Sequence, residues 1–425
     1  MVDAIEKIAN LAMDQIDKTN AANPLVHRLS EATESFLRSK RMLGYGGTAI
    51  NNLLPKSAQF YDPKYDIPDY DFYSEVPQLH AAELADKLAG LEGVNEVEVR
   101  PAAHLGTFEV YADYIQVADI SHLEPELFKN LWKARVIKNG VSYVPPNFLK
   151  MGVYLELSRP FGKDANAERW PKIYARLLLL NEHFPMKQCP VDALEKIDDE
   201  KRKEIEKFLI KKKAIVLGFN ATTLHQRKAG WHFPLDIMVE AKDRASVSKE
   251  LSGILGGNVK DHENYSFVLP AHTDVEKASG GSPKTLVRVY EPVFCHSYHK
   301  TASGLRIASI PVILQFFLSM LYGNAHIQEH VSEERLLCVA QHLMEMAHTS
   351  TRRYKVLTPL ECTGNQQSAI DIKKERSELY KKLKGNKSSP EYIEKFFTYK
   401  PTELTKTKRN KVKTLLKKTL KNRLK

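Results

Sequence analysis

The sequence predicts an α+β protein of two tandem lobes, the second a degenerate copy of the first, with helical additions and a basic C-terminal tail. Three observations carry this. The chain has 425 residues, enough for two or three cores of ordinary size. Hydrophobic residues are 43% and charged residues 27%, the balance of a globular protein rather than a disordered one. Three stretches of the first half also recur, in the same order, in the second.

Residues 42–50 read MLGYGGTAI and residues 215–222 read IVLGFNAT, each an apolar run with Leu-Gly-aromatic before a turn. IPDYDFYSE (67–75) then matches HFPLDIMVE (232–240), setting Asp71 opposite Asp236 and Asp69 opposite Pro234. NGVSYVPPNFLKM (139–151) resembles SGLRIASIPVILQ (303–315), with Gly140 opposite Gly304. Buried strands look alike by chance, but three matches in one order outweigh that explanation. The resulting boundaries are an N-terminal helical segment (1–40), a first lobe (41–188), a second lobe (189–322), a helical segment (323–372) and the tail (373–425).

The N-terminus places Ile5, Ile8, Ala12 and Ile16 at helical spacing with acids between them. That pattern predicts an amphipathic helix, and not a signal peptide, which has a basic start and an unbroken apolar core. In the first lobe a helix follows the glycine turn over 48–54 and stops at Pro55. A second helix, 80–91, lines Leu84, Leu88 and Leu91 along one face, and strands are expected at 96–100, 106–111 and 114–120. Residues 169–180 form a helix with Ile173, Leu177 and Leu180 toward a core. A charged helix over 192–213 joins the lobes, its final lysines favoured by the helix dipole. A further helix is expected at 330–346. The most apolar run, 310–322, is interrupted by Gln315 and too short to cross a bilayer, so secreted and membrane-spanning readings drop out. The four cysteines (Cys189, Cys295, Cys338, Cys362) form no CxxC pair; they suit a reducing compartment and exclude a disulfide scaffold.

The net charge of +11 is localised. Residues 373–425 hold 19 Lys or Arg against 5 Asp or Glu, whereas the rest of the chain is slightly acidic. Within the tail, Val412, Leu415, Leu416 and Leu420 recur at helical spacing among lysines. With four modest apolar residues and no aromatic it makes a poor membrane anchor and suits a nucleic-acid backbone better.

Asp69 and Asp71 are the sharpest chemical signal. Residues i and i+2 of a strand share a face, with Cα atoms roughly 6.5–7 Å apart. Two carboxylates so placed converge on divalent cations, and oxygen donors favour Mg²⁺ or Mn²⁺ over zinc. Asp119 lies in the apolar run VADI, where a carboxylate needs a ligand or partner. Gly46-Gly47 precedes a helix start, an arrangement whose amides and dipole hold a phosphate. A phosphate there would face metals held by the acids, as two-metal displacement at a nucleotide α-phosphate requires. Lys172 and Arg176 share a helix face and, with Arg169 and Tyr174 nearby, are candidates for the incoming triphosphate and base; Lys150 is a weaker one. In the second copy Phe219-Asn220 replaces the glycines, Pro234 the first acid, and LVRVY (286–290) has no carboxylate for the third. Cys295, His296 and His299 look like a metal corner without a fourth ligand and are read as a polar loop.

The strings GYGGTAINNLLP, DIPDYDFYS, FEVYADYIQVADIS and ERWPKIYARLLLLNEHFP closely resemble the poly(A) polymerase catalytic subunits of large nucleocytoplasmic DNA viruses, in their mimivirus-like branch. That family belongs to the nucleotidyltransferase superfamily related to DNA polymerase β. The resemblance implies two nucleotidyltransferase-like lobes, with Gly46 and Gly47 at the triphosphate and Asp69, Asp71 and Asp119 as catalytic metal ligands. It also implies an mRNA-polyadenylating enzyme that adds AMP from ATP to RNA 3′ ends with two Mg²⁺ or Mn²⁺ ions. The second glycine stands where many relatives have serine, and Thr48 is the neighbouring hydroxyl available to the phosphate. A viral relation implies the cytoplasm, a viral factory or the virion, while the basic tail can be read as a nuclear signal. Partners are the RNA 3′ end and ATP, with scope for a homodimer and no membrane. The rival readings are a terminal transferase of other specificity (uridylyl, CCA-adding or oligoadenylate-making) and a non-enzymatic RNA-binding subunit.

Overall fold

The computed structural model describes residues 2–62, 66–160, 169–186, 195–228, 230–265, 269–278, 280, 283–323, 332–349, 359–365 and 369–421. The chain divides into two compact units, one made of residues 1–149 and 374–425, the other of residues 150–373.

The first unit begins with α1 (Val2–Ala21) and α2 (Pro24–Arg38). Asn23 accepts a hydrogen bond from the Leu25 amide at 2.9 Å, and Pro24 takes the first helical position, where no amide is required. α1 carries the expected apolar stripe, with Ile5, Ile8 and Ile16 exposed, whereas α2 buries Val26, Leu29, Phe36 and Leu37. Then follow β1 (Leu43–Tyr45), α3 (Gly46–Leu53), β2 (Tyr70–Ser74), α4 (Pro77–Leu88), β3 (Val97–Pro101), β4 (Thr107–Ala112), β5 (Ile115–His122), α5 (Pro125–Lys133), β6 (Val136–Lys138) and β7 (Val141–Tyr143), after which α6 (Pro146–Leu157) continues into the second unit from Lys150. The expected strands fall on β3, β4 and β5. The helix expected at 80–91 begins earlier, because Pro77 can open it, and ends at Leu88.

The seven strands are ordered β3-β4-β5-β2-β1-β7-β6. β2 is parallel to β5 and β1 to β7, and the other neighbours are antiparallel. Along β2, Tyr70, Phe72 and Ser74 are buried and Asp71 and Tyr73 are half-buried on the opposite face. α4 closes the sheet's other side with Leu84, Ala85 and Leu88 fully buried, each leucine contributing about 2 kcal/mol of apolar burial.

The second unit comprises α7 (Trp170–His183), β8 (Lys196–Ile197), α8 (Asp199–Lys212), β9 (Ile215–Val216), α9 (Gly218–His225), β10 (Trp231–His232), β11 (Leu235–Met238), α10 (Arg244–Leu255), β12 (Asn258–His262), β13 (His272–Lys277), β14 (Lys284–Tyr290), β15 (His296–Lys300), β16 (Arg306–Ala308), α11 (Ile310–Leu321), α12 (Glu333–Thr349) and β17 (Cys362–Thr363). Its main sheet is ordered β12-β13-β14-β11-β9-β16-β15-β17. β11 is parallel to β14 and β9 to β16, and the remaining pairs are antiparallel. Apart from the added β17, this repeats the order and sense of the first sheet strand for strand.

Two expectations change here. The charged helix begins at Asp199 rather than 192, because the Asp198 side chain accepts from the Lys201 amide at 2.8 Å and sets the cap; residues 192–194 lie outside the described residues. Cys295 and Cys362 form a disulfide, 5.3 Å apart at Cα, where β15 pairs with β17, so the expectation of unpaired cysteines is corrected. They are 67 residues apart in sequence, and only strand pairing brings them together. Cys189 lies outside the described residues. The apolar run at 310–322 is α11, buried along its length and capped by Ser309. Among the described residues no helix is long and apolar enough to cross a membrane.

The basic C-terminal segment returns to the first unit as α13 (Ala369–Leu383), α14 (Pro390–Phe396) and α15 (Lys406–Lys421). Tyr399 exchanges two backbone hydrogen bonds with Val99, covering the outer edge of β3. The Tyr399 hydroxyl and the Lys413 ammonium both reach the Asp86 carboxylate at 2.6 Å, and Leu416 is buried.

Candidate active site

β1 turns into α3 at Gly46, whose φ of 73° lies in the left-handed region. A Cβ at this position would collide with the Asp71 carboxylate, so glycine permits both the turn and the close approach. Tyr45 supplies no side-chain cap to α3, and the helix presents its leading amides and the positive end of its dipole.

β2 lies between β1 and β5, and in this register Asp71 is opposite Tyr45 on one side and Asp119 on the other. Neighbouring strands are about 4.8 Å apart, so the two carboxylates rise side by side from one face. Asp69 stands just before β2, two residues from Asp71. Its backbone carbonyl accepts the Thr48 hydroxyl at 2.6 Å, tying the acidic loop to α3. Gln116 donates from Nε2 to Oδ1 of Asp119 at 2.8 Å, and Glu109 opposes Asp119 across β4. Burial pushes the Asp119 carboxyl up to about 6; the Gln116 hydrogen bond pulls it down, and the charges of Asp69 and Glu109 add to the rise. Closely set carboxylate oxygens that raise one another's proton affinity suit a hard divalent cation.

The tyrosines brace this face. Tyr45 and Tyr73 stack at 3.8 Å with planes 12° apart, and the Tyr45 hydroxyl is 2.9 Å from Ser121 Oγ. Burial and the nearby Tyr73 and Asp71 hold the Tyr45 hydroxyl protonated, well above its usual range.

The fold therefore assembles Gly46, Gly47, Asp69, Asp71 and Asp119 on one side of the first sheet. The Thr48 hydroxyl is directed to the Asp69 carbonyl and positions the acids. Lys172, Tyr174 and Arg176 are carried by α7 in the second unit. Lys150 is not a nucleotide ligand: it is fully buried and its Nζ donates to the Phe184 carbonyl at the end of α7. The sequence reading missed Gln116 and Glu109, whose alignment with Asp119 depends on a register that a β-bulge shifts between Val110 and Tyr111.

The second sheet repeats this geometry with different chemistry. Gly218, at φ 59°, abuts the Asp236 carboxylate as Gly46 abuts Asp71. Asn220 donates to the His232 carbonyl at 2.9 Å and the Pro234 carbonyl at 3.4 Å, much as Thr48 holds Asp69. The sequence alignment is thus corrected by one position: Gly218 stands where Gly46 does, and Phe219 where Gly47 does. Arg288 is opposite Asp236 in the register that Asp119 occupies opposite Asp71, and its Nη1 lies 3.2 Å from Asp236 Oδ1. Asp274 opposes Arg288 as Glu109 opposes Asp119. The stretch read as a polar loop around His296 and His299 is strand β15, with Cys295 in the disulfide.

The Asp119 shift has a consequence for stability. An unfolded Asp titrates near 3.9, so between that value and about 6 the folded state binds more protons, and stability falls as pH rises through this window. In metal-free protein at pH 7.5, Asp119→Asn is expected to stabilise the fold by about 1 kcal/mol, a figure discounted for the side chain's partial exposure. The gain should shrink toward pH 4.5 in thermal melts with chelator. A pH-independent gain would remove titration as its cause.

A glycine turn, an Asp-x-Asp and a third Asp in register on the next strand form the site pattern of nucleotidyltransferases. Comparison with known proteins agrees. Residues 31–163 match the family described as Poly(A) polymerase catalytic subunit. A poly(A) polymerase catalytic subunit of African swine fever virus (strain Badajoz 1971 Vero-adapted) is 28% identical over 167 residues, 39% of this chain and 34% of that protein. One from Acanthamoeba polyphaga mimivirus is 25% identical over 266 residues, 60% of this chain and 44% of that protein. The chain thus spans about a third of the length of the first relative and under half of the second. The crystal structure of the Megavirus polyadenylate synthase superposes with a TM-score of 0.77 at 19% identity, over 98% of this chain and 89% of that one. The resemblance read from the glycine turn and the acids is borne out, and the mixed α+β fold is close to that of the Megavirus polyadenylate synthase.

Proposed function

We propose that this chain is a template-independent poly(A) polymerase, adding AMP from ATP to RNA 3′ ends. The observation that carries the reading is the in-register pair Asp71–Asp119, with Asp69 beside it and the Gly46 turn against Asp71. Asp69, Asp71 and Asp119 would hold Mg²⁺ or Mn²⁺, which when bound lowers the pKa of the attacking 3′-hydroxyl and neutralises charge on the phosphates. Gly46 and Gly47 bring the first amides of α3 to the triphosphate. Asp119, with one oxygen held by Gln116, would use its other oxygen on the metal that activates the hydroxyl. The 3′-oxygen bonds to the α-phosphorus as the bond to the β-phosphate oxygen breaks, and pyrophosphate leaves. No protein nucleophile is needed.

The second sheet is proposed to be a non-catalytic duplicate of the first. The shared strand order, the retained Gly218 and the arginine at the third acid's position support this reading. An arginine is incompatible with binding metal between Asp236 and its neighbour on β14.

The deciding experiment is extension of a labelled RNA primer by the full chain with each of the four NTPs. ATP-selective extension that stops with EDTA and resumes with Mg²⁺ or Mn²⁺ is expected. Equal use of UTP would favour the rival transferase reading, and no extension with any NTP would favour an RNA-binding subunit.

The basic segment is proposed to bind the RNA backbone through α15, where Lys411, Lys417 and Lys418 are exposed while Leu416 and Lys413 face the first unit. Replacing those three lysines by alanine is expected to weaken primer binding and reduce the salt slope by roughly 0.7 per lost contact to a single strand. The fold should persist, since the residues that dock α15 are untouched. Unchanged affinity and slope in fluorescence anisotropy titrations would assign the lysines to solvation alone.

A further inference from the structure

We propose that His262, His272 and Asp274 form a binding site for a zinc-class transition-metal ion within the second unit, separate from the Asp69–Asp71–Asp119 cluster in the first. Among the described residues, their ligand atoms, one from each side chain, all lie within 4.8 Å of one another. The sheet dictates the constellation. β12 and β13 are antiparallel with His262 directly opposite His272, and Asp274 follows His272 by two residues, so all three project from one face.

The distances fit metal ligands better than hydrogen-bond partners. His262 Nε2 is 3.4 Å from Asp274 Oδ2, and His272 Nε2 is 3.8 Å from Asp274 Oδ1. Both exceed the usual N–H···O range of about 2.7–3.2 Å. A tetrahedral ion with bonds of about 2.0–2.1 Å holds its ligands about 3.3–3.4 Å apart, so the ligand atoms, now within 4.8 Å of one another, would draw together by up to about 1.4 Å on binding. The imidazoles are stacked, 4.8 Å apart and 17° from parallel, with both Nε2 atoms near the same carboxylate, so one ring must rotate to bring both nitrogens onto a single ion.

His272 is also oriented as a ligand. Its Nδ1 lies 3.2 Å from the Pro270 carbonyl, which can only accept, so Nδ1 carries the proton. In the neutral ring Nε2 then points its lone pair at Asp274, the backbone-to-imidazole arrangement that presents a histidine to a metal. Two nitrogens and one carboxylate select zinc, cobalt or nickel over magnesium. Arg288 is the nearby fixed cation: its Nη1 is 3.2 Å from Asp236, and its Nε is 3.9 Å from Asp274. One guanidinium is thus shared between two buried carboxylates. Entry is from the β12 edge, where the His262 side chain is 12% exposed.

The test uses the full chain, stripped with EDTA and then held in excess Mg²⁺ so that the all-oxygen cluster is occupied. Added Zn²⁺ is expected to bind at about one equivalent per chain, with affinity falling at least about tenfold in His262→Ala and recovering in His262→Cys, whose thiolate is itself a zinc ligand. Asp71→Asn should retain the zinc. Co²⁺ replacing Zn²⁺ in the unaltered protein should give the visible absorption of a four- or five-coordinate ion, a readout independent of whether any variant folds. No stoichiometric zinc, equal uptake by His262→Ala, or a Co²⁺ spectrum indistinguishable from the aqueous ion would each overturn the assignment and leave a plain His–Asp–Arg ion-pair cluster.

Discussion

Asp71→Asn is expected to lower the rate of AMP addition on the order of 10³-fold or more while leaving thermal stability at or above that of the unaltered chain. Asp71 is the centre of the cluster: it faces Asp119 on β5 and lies against the Gly46 turn, so in the proposed mechanism it would link the triphosphate to the metal-binding acids. Asparagine preserves shape but removes a charge and a metal-binding oxygen where transition-state charge must be balanced. It also relieves repulsion among neighbouring acids, so the fold should not suffer. Single-turnover extension at saturating ATP, paired with circular-dichroism melts, separates the two effects. A rate within tenfold of the unaltered chain would sink the metal-site assignment. Asp236→Asn is the control, expected to leave turnover of the folded chain unchanged because Arg288 stands where that sheet would need its third acid, and it is assayed well below its own melting temperature because it breaks the buried pair with Arg288.

Arg288→Met carries the largest expected effect on stability. Arg288 is 3% exposed, between Asp236 at 2% and Asp274 at 0%. Burial alone would raise the Asp236 carboxyl and lower the Arg288 guanidinium, and their proximity offsets both. Removing one partner of a buried ion pair leaves an uncompensated charge and costs about 3–5 kcal/mol, equivalent to about 10 °C for a unit of this size. Adding Asp236→Asn should recover much of the loss, because the orphaned carboxylate is then gone. A loss below about 1 kcal/mol, or no recovery in the double variant, would mean that water or another group already satisfies Asp236.

Much of this site is legible in the chain. Asp71 is legible as a strand acid and Asp119 is conspicuous because an acid interrupts an apolar run, whereas Asp69, read onto the same strand from its two-residue spacing, stands just before β2. Gly46 is legible as a turn before helix-forming residues. The strands β3, β4 and β5 follow from alternation, and the α7 core face from Ile173, Leu177 and Leu180. Thr48, Lys150 and Gly218 were harder. A hydroxyl, an ammonium and a glycine each have one chemistry in sequence but several destinations in space, and the Asp69 carbonyl, the Phe184 carbonyl and the Asp236 carboxylate decided among them.

Local periodicity, turn chemistry and charge therefore set which residues could act, because those properties extend over a few neighbouring positions. Tertiary structure alone decided which of them meet. The register of β2 against β5 joined Asp71 to Asp119, and the same register of β11 against β14 set an arginine beside Asp236. Pairing of β12 with β13 gathered His262, His272 and Asp274, and pairing of β15 with β17 closed Cys295 on Cys362. Tyr399 found the edge of β3 from three hundred residues away and turned a basic tail into part of the first unit. Strand register between distant segments is determined by how whole faces pack, and no window of sequence contains that information.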